Sequence, residues 1–238
     1  MKDKRPEKKK KIDNETSKTQ EEIKKRSEKT KGIIQTNEDF PKSYNEDVVF
    51  KNFPHRDIEA FHRYLTLVAA KPEEYAEQIF YHNEDFVVMY HPLAKSSKHL
   101  LVVFTNPPAE SLDALKKRDV EKLQQAYFLA QKIVSHLRAI DPYNPILDDP
   151  RMKFYDTFRI GMLGIASFNG LAIHIVSQDF DSMHVHRKIH YQSYNTPVFH
   201  SLKRVIKTLK SKGEITINPV YMKQVRSSKK FVCNRCGS

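Results

Sequence analysis

The chain has only two cysteines in 238 residues, Cys233 and Cys236, three positions apart. That excludes a disulfide framework and leaves a CxxC pair, which is half of a metal site. A reducing, intracellular compartment is the expectation. Long apolar runs are also lacking. None approaches the roughly eighteen residues that a helix needs to span a bilayer, so no membrane contact is expected. The N-terminus is rich in lysine and has no apolar core, so it does not read as a secretory signal. Acidic residues are scarce at one end. Residues 201–238 hold ten Lys/Arg against the single acid Glu214, residues 51–200 balance at 17 and 17, and residues 1–50 carry 14 against 11. The net charge of +12 therefore belongs mostly to the last 38 residues. Such a block beside a neutral body suits a polyanion, although a solvated tail carries charge in the same way.

What is present divides into three parts. Residues 1–50 have few apolar side chains and no usable periodicity, and read as a disordered basic tail. Arg5 with Lys8 to Lys11 makes a weak nuclear-import signal. From about Phe53 the pattern becomes globular. DIEAFHRYLTLVAA spaces Ile58, Phe61, Tyr64, Leu65 and Val68 as an amphipathic helix closed by Pro72. AEQIFYH and FVVMYH form a hairpin about Asn83-Glu84-Asp85, and KHLLVVF is a buried strand. Residues 111–140 read as one long helix with Ser111 as N-cap. FRIGMLGIAS and LAIHIVS are two more strands about a tight turn at 168–170. This order predicts an α+β fold with a mostly antiparallel sheet over residues 51–200. Residues 201–238 form a basic extension, opened by the amphipathic helix SLKRVIKTLKS, which ends at Gly213.

Four of the 11 histidines fall in FNGLAIHIVSQDFDSMHVHRKIH, residues 168–190. Alternation along a strand sends Leu171, Ile173 and Ile175 to the core, and Gly170, Ala172 and His174 to the opposite face. That face presents a hydrogen, a methyl and an imidazole. A single strand histidine is more often structural than catalytic. His184 and His186 follow the strand and read as loop.

LAIHIVSQDFDS followed by HYQSYNT resembles the signature and C-terminal extension of the aprataxin family, of the fungal type. KSSKHLLVV upstream fits the same family at Lys95, Ser96 and His99. The resemblance runs from about Phe61 to Cys236. It implies a histidine-triad domain joined to a DNA-binding zinc finger. It also implies removal of AMP from 5′-adenylated DNA at single-strand breaks, and location in the nucleus and also in the cytoplasm. In that family a strand histidine attacks the α-phosphate, its neighbour two residues on stabilises charge, and a serine before the strand cradles the oxyanion.

Mapped by position, the resemblance implies a degenerate site. His174 takes the last histidine position and Ser167 the cradle serine. The nucleophile position is Ala172, which cannot attack phosphorus. Gly170 and Leu163 stand where other histidines are expected, Ala166 replaces a proline, and His91 replaces the acid that holds the ribose. Several departures in one pocket point to relaxed constraint rather than a single deliberate substitution. Lys95, Ser96, His99, Lys188 and His190 remain to bind nucleotide or DNA. Lys203, Arg204 and Lys207 suit the phosphate backbone. Phe61 and Tyr64 match the family's wedge, whose rings stack on a terminal base pair, with core packing as the alternative.

Zinc needs four ligands, and Cys233 with Cys236 supply two before the sequence ends. Natural truncation, an early stop and completion by other histidines or another chain all remain open. The expected partners are nicked or 5′-adenylated DNA and AMP, with repair-protein contacts through the N-terminal tail. The leading expectation is a DNA-end-binding protein with weak or no hydrolysis. The alternatives are a hydrolase with another nucleophile, and an interaction protein without DNA-end activity.

Overall fold

The structure is a computed structural model that describes residues 40–50, 53–54, 58–141, 157–165, 171–228, 230–231 and 233. Its elements are α1 (Ile58–Ala70), β1 (Ile79–His82), β2 (Phe86–Tyr90), β3 (His99–Phe104), α2 (Val120–Ile140), β4 (Phe158–Leu163) and β5 (Ala172–Ser177). They are followed by α3 (Lys188–Asn195), β6 (Phe199–Ser201), α4 (Leu202–Lys212) and α5 (Pro219–Ser228). The strands make one antiparallel sheet in the order β1-β2-β3-β5-β4-β6. The fold is α+β, as expected. Among the described residues no helix is long and apolar enough to cross a membrane.

The sheet is covered on both faces, which explains why β2 and β3 read as unbroken apolar runs. Val88, Tyr90, Leu100, Val102, Ile173 and Ile175 face the larger core, with Leu123, Ile133 and Leu137 of α2 and Leu202, Val205 and Leu209 of α4. Val87, Met89, Leu101 and Val103 face a smaller core with Tyr64, Leu65 and Val68 of α1, and Ala172 packs against it. The alternation predicted for residues 171–175 therefore holds. The β1–β2 turn is closed by Asn83, whose Oδ1 accepts from the amides of Asp85 at 3.0 Å and Phe86 at 2.8 Å.

Four expectations need correction. Residues 40–50, assigned to the tail, join the domain: Phe40 is buried in the larger core, and Tyr44, Val48 and Phe50 pack on it. These four apolar residues of that short segment bury enough surface to order it. The long helix begins at Val120, not Ser111, because Leu112 and Leu115 turn into the core ahead of it and Asp119 Oδ2 accepts from the Lys116 amide at 2.7 Å. HYQSYNT lies largely in helix α3, and β6 and α5 were not foreseen. The boundary at residue 200 also fails, because β6 pairs with β4 and α4 fills the core. Helix α4 itself ends as predicted, at Gly213 with φ +82°.

Close approach explains one glycine. A Cβ on Gly161 of β4 would lie 2.4 Å from the His200 carbonyl oxygen of β6. Only hydrogen lets these two strands pair.

Candidate active site

One end of the sheet gathers three imidazoles on the face of the smaller core. His91 follows β2, His99 opens β3, and His174 sits opposite Leu101 in β5. All three are buried. His91 and His99 lie nearly face to face, with ring centroids 4.1 Å apart and 32° between planes. His99 Nε2 and His174 Nδ1 are 3.0 Å apart. The Tyr44 hydroxyl accepts from the His99 amide at 3.0 Å and holds the start of β3.

Backbone amides decide where the protons sit. The Lys95 amide donates to His99 Nδ1 at 3.0 Å, and the Leu93 amide donates to His91 Nδ1 at 3.0 Å. A neutral imidazole that accepts at Nδ1 carries its proton on Nε2. His99 Nε2–H therefore donates to His174 Nδ1, and His174 in turn holds its proton on Nε2. Burial keeps all three neutral. His91 and His99 are held well below the usual imidazole range, first by desolvation and then by neighbouring imidazoles and Lys95, and His174 is pushed down to about 3 by desolvation.

Ring nitrogens of these three residues come within 4.8 Å of one another, close enough to ask whether they hold a metal. The hydrogen bonding does not suit one. A metal needs a bare nitrogen from each ring, whereas the Nδ1 atoms of His91 and His99 accept backbone protons and the Nε2 of His99 donates. The cluster is a set of neutral imidazoles in which His99 donates to His174 and His91 stacks on His99. The CxxC pair is no better placed. Cys233 is partly buried and belongs to no candidate metal cluster among the described residues, and Cys236 lies outside them.

Beside the cluster is a cavity of about 550 Å³, the size of an ordinary small-ligand pocket. His91 and His174 reach it with Ala172, Lys95, His190 and Arg226. Lys95 Nζ donates to the His184 carbonyl at 3.2 Å, and burial lowers its pKa to about 8. His190 Nδ1 is buried without a hydrogen-bond partner. Its pKa is lowered by burial, then by Lys95 and His186. Leu93, Leu163 and Leu171 give the cavity apolar wall, and Glu110 and Asp113 place carboxylates on its lining. A cationic region, an apolar wall and acidic groups together suit an amphiphilic anion.

The expected site residues divide clearly. His174, Ala172, Lys95 and His190 meet at the cavity, with His99 behind them. Ser96 does not: its Oγ is buried and donates to the Ser177 carbonyl at 2.6 Å, which ties the segment before β3 to the end of β5. Lys188 is exposed and outside the lining. Tyr64 is buried, with its hydroxyl hydrogen-bonded to Gln78, so it packs in the core and offers no ring for stacking. Lys203, Arg204 and Lys207 are exposed on α4. Ser167 and the Phe61 side chain lie outside the described residues.

Two contributors were not singled out from sequence. Ile189, Ser193 and Tyr194 line the cavity beside the expected His190 from one face of α3, and their helical spacing was the available signal. Arg226 comes from α5 and had been grouped with the basic tail. The C-terminal segment is held there by Tyr191 against Phe231, with centroids 4.7 Å apart, and by Gln192 Nε2 donating to the Lys230 carbonyl at 3.1 Å.

Comparison with known proteins gives a consistent picture. Residues 65–190 match the family described as scavenger mRNA decapping enzyme C-term binding. The chain is 26% identical over 168 residues to an HIT domain-containing protein of Dictyostelium discoideum, covering 70% of this chain and 40% of that one. It is 29% identical over 141 residues to aprataxin of Gallus gallus, covering 58% and 39%. It thus spans about two fifths of the length of these curated relatives. The fold matches the crystal structure of the aprataxin ortholog Hnt3 in complex with DNA, with a TM-score of 0.51 and 22% identity over 75% of this chain and 86% of that one.

Proposed function

The chain belongs to the scavenger mRNA decapping enzyme C-term binding family, and from that fold and its aprataxin relatives we propose that it binds DNA ends at strand breaks without hydrolysing an adenylate there. The observation that carries this reading is Ala172. Its methyl lines the cavity two residues before His174, on the strand that the resemblance makes the nucleophile strand. Lys95, His190 and Arg226 still supply positive charge and hydrogen-bond donors around it. The cavity can hold a phosphate and an attached nucleoside, but the aligned position offers nothing to attack phosphorus.

The cluster then has a binding role. Lys95 contributes its charge through Nζ and, through its amide, sets the tautomer of His99 and hence of His174. A neutral Nε2–H on His174 donates to a phosphate oxygen without titrating near neutral pH. The solvated cations of α4 add contacts to the phosphate backbone, which give affinity without sequence readout.

The test is AMP release from 5′-adenylated nicked duplex, with binding measured in parallel. Salt-sensitive binding to the nicked duplex without AMP release is expected. The variant carrying Ala172→His and Leu163→His together is expected to gain release. Turnover by the unaltered chain, with an AMP adduct on a residue other than 172, would overturn the loss of hydrolysis. Absence of any preference for nicked duplex over intact duplex would overturn DNA-end binding.

A further inference from the structure

A second cavity, of about 290 Å³, is lined in part by His200, which lies next to Gly164 of the first. It is lined by His200 of β6, by Arg204, Thr208 and Lys212 of α4, and by Glu214 and Thr216 beyond that helix. Positions 204, 208 and 212 recur every four residues, so they share one face of α4. Arg204 and Lys212 therefore point the same way, with a hydroxyl between them.

The charges of this cavity are not balanced from within. Glu214 is its acid, and it is engaged elsewhere, with Oε2 3.3 Å from Lys116 Nζ. Among the described residues neither Arg204 nor Lys212 has an ion-pair partner. His200 Nε2 is buried and makes no hydrogen bond. Buried polar atoms are rarely left unsatisfied, and each one needs a reason. Burial and the Arg204 charge hold the His200 imidazole below its usual range, so it adds no third charge to the free protein.

We propose that His200, Arg204, Thr208 and Lys212 form a second phosphate subsite, occupied by a backbone phosphate of the strand whose end lies in the first cavity. The two cavities come close to each other at Gly164 and His200. Gly164 lines the first, and a Cβ built on it would come within 3.0 Å of His200 Nε2, which belongs to the second. A phosphodiester chain advances only a few ångströms per nucleotide, about 3.4 Å along a duplex strand, so one strand can reach both. This subsite rests on the DNA-end reading for its ligand but on its own residues for its chemistry. All three cations of α4 are exposed, but Arg204 lines this cavity and Lys203 and Lys207 do not.

The test follows the imidazole signals of His200 by NMR in the full chain, titrated with inorganic phosphate and, separately, with nicked duplex DNA. Both are expected to shift His200, and Arg204→Gln/Lys212→Gln is expected to weaken the phosphate response at least tenfold. The same pair is expected to lower the salt-dependence slope of DNA binding by about one, since each phosphate contact contributes about 0.9. Lys117→Gln/Lys132→Gln removes the same charge at exposed positions of the neighbouring helical segment, and should leave the His200 response in place. Equal losses in the two pairs would reduce the effect to net charge and overturn the subsite. A His200 shift with phosphate but not with DNA that does bind would overturn its place on the strand. No shift with either ligand would overturn the site itself, whatever becomes of DNA-end binding.

Discussion

Lowering the pH should destabilise this protein steeply, because three buried imidazoles are held neutral. His91, His99 and His174 all have depressed folded-state pKa values, and that of His174 is about 3 against an ordinary 6.5. Above 6.5 neither the folded nor the unfolded state binds these protons, and their contribution is constant. Below 6.5 the unfolded chain gains protons that the folded chain refuses, so stability is lost as pH falls from 6.5 toward the folded values. At pH 5.5 each such histidine favours the unfolded chain by about 1.4 kcal/mol, so three cost about 4 kcal/mol. That is a large share of the roughly 5–15 kcal/mol that holds a typical domain. His190 and His200 are depressed in the same direction, but they are less buried and add less. Urea unfolding at pH 7.5, 6.5 and 5.5 measures the sum, and His174→Gln isolates one member of the cluster. The variant should lose about a third of the pH-dependent change over that range. Superimposable profiles for the two proteins would refute the neutral cluster, and so would a wild-type stability that is flat across this window.

Two further outcomes follow from particular residues. Lys95 carries its charge only below a pKa of about 8, so AMP affinity should fall as pH rises through and beyond 8, and Lys95→Arg should remove that fall; calorimetric titration from pH 7 to 9.5 decides it, and a pH-independent affinity in the unaltered chain would count against Lys95 as the phosphate contact. Gly161→Ala would place a Cβ 2.4 Å from the His200 carbonyl and 2.6 Å from the Phe199 ring, and because the carbonyl is backbone the strand must shift, at about 1–3 kcal/mol. Chemical denaturation reads this directly, and a cost below about 0.5 kcal/mol, no more than an ordinary surface change, would mean that β6 is not held against β4.

The sequence carried the sheet more fully than it carried the site. Period-two alternation and apolar runs placed β1 to β5, because those strands are buried and their side chains report both faces. The three residues of β6 are too few to show a period, and their pairing depends on Gly161, a glycine across the sheet that no local pattern reveals. Helix α3 was hidden for another reason. HYQSYN is polar, yet Tyr191, Gln192, Ser193 and Tyr194 are all buried, so its packing face did not look apolar. Tyr64 misled in the opposite sense, since an aromatic on an amphipathic helix can serve stacking or core, and only its burial decides. His91 was legible merely as a missing acid. Its contact with His99 joins residues eight apart across a hairpin, and chain spacing alone does not indicate that two rings will stack.

Retention of a residue means different things in different parts of this site. His99 and His174 are buried and bonded to each other, and His99 also holds the Lys95 amide. Replacing either would leave a buried donor or acceptor unmatched, at a cost of about 1–3 kcal/mol. Stability alone can keep them, so their presence says little about activity. Lys95 is the opposite case. Burial depresses its pKa to about 8, which means that the folded protein still carries the charge at neutral pH but holds it less favourably than the unfolded chain does. A cation that weakens the fold is not kept by the fold. The same holds for His190 Nδ1, buried with nothing to bond. These costly groups converge on the cavity that Ala172 lines. Ala172, in contrast, fits its partly buried position without strain or unmet polarity. Costly cationic and polar groups thus line the cavity beside a methyl at position 172, and on that contrast the proposed binding without hydrolysis rests.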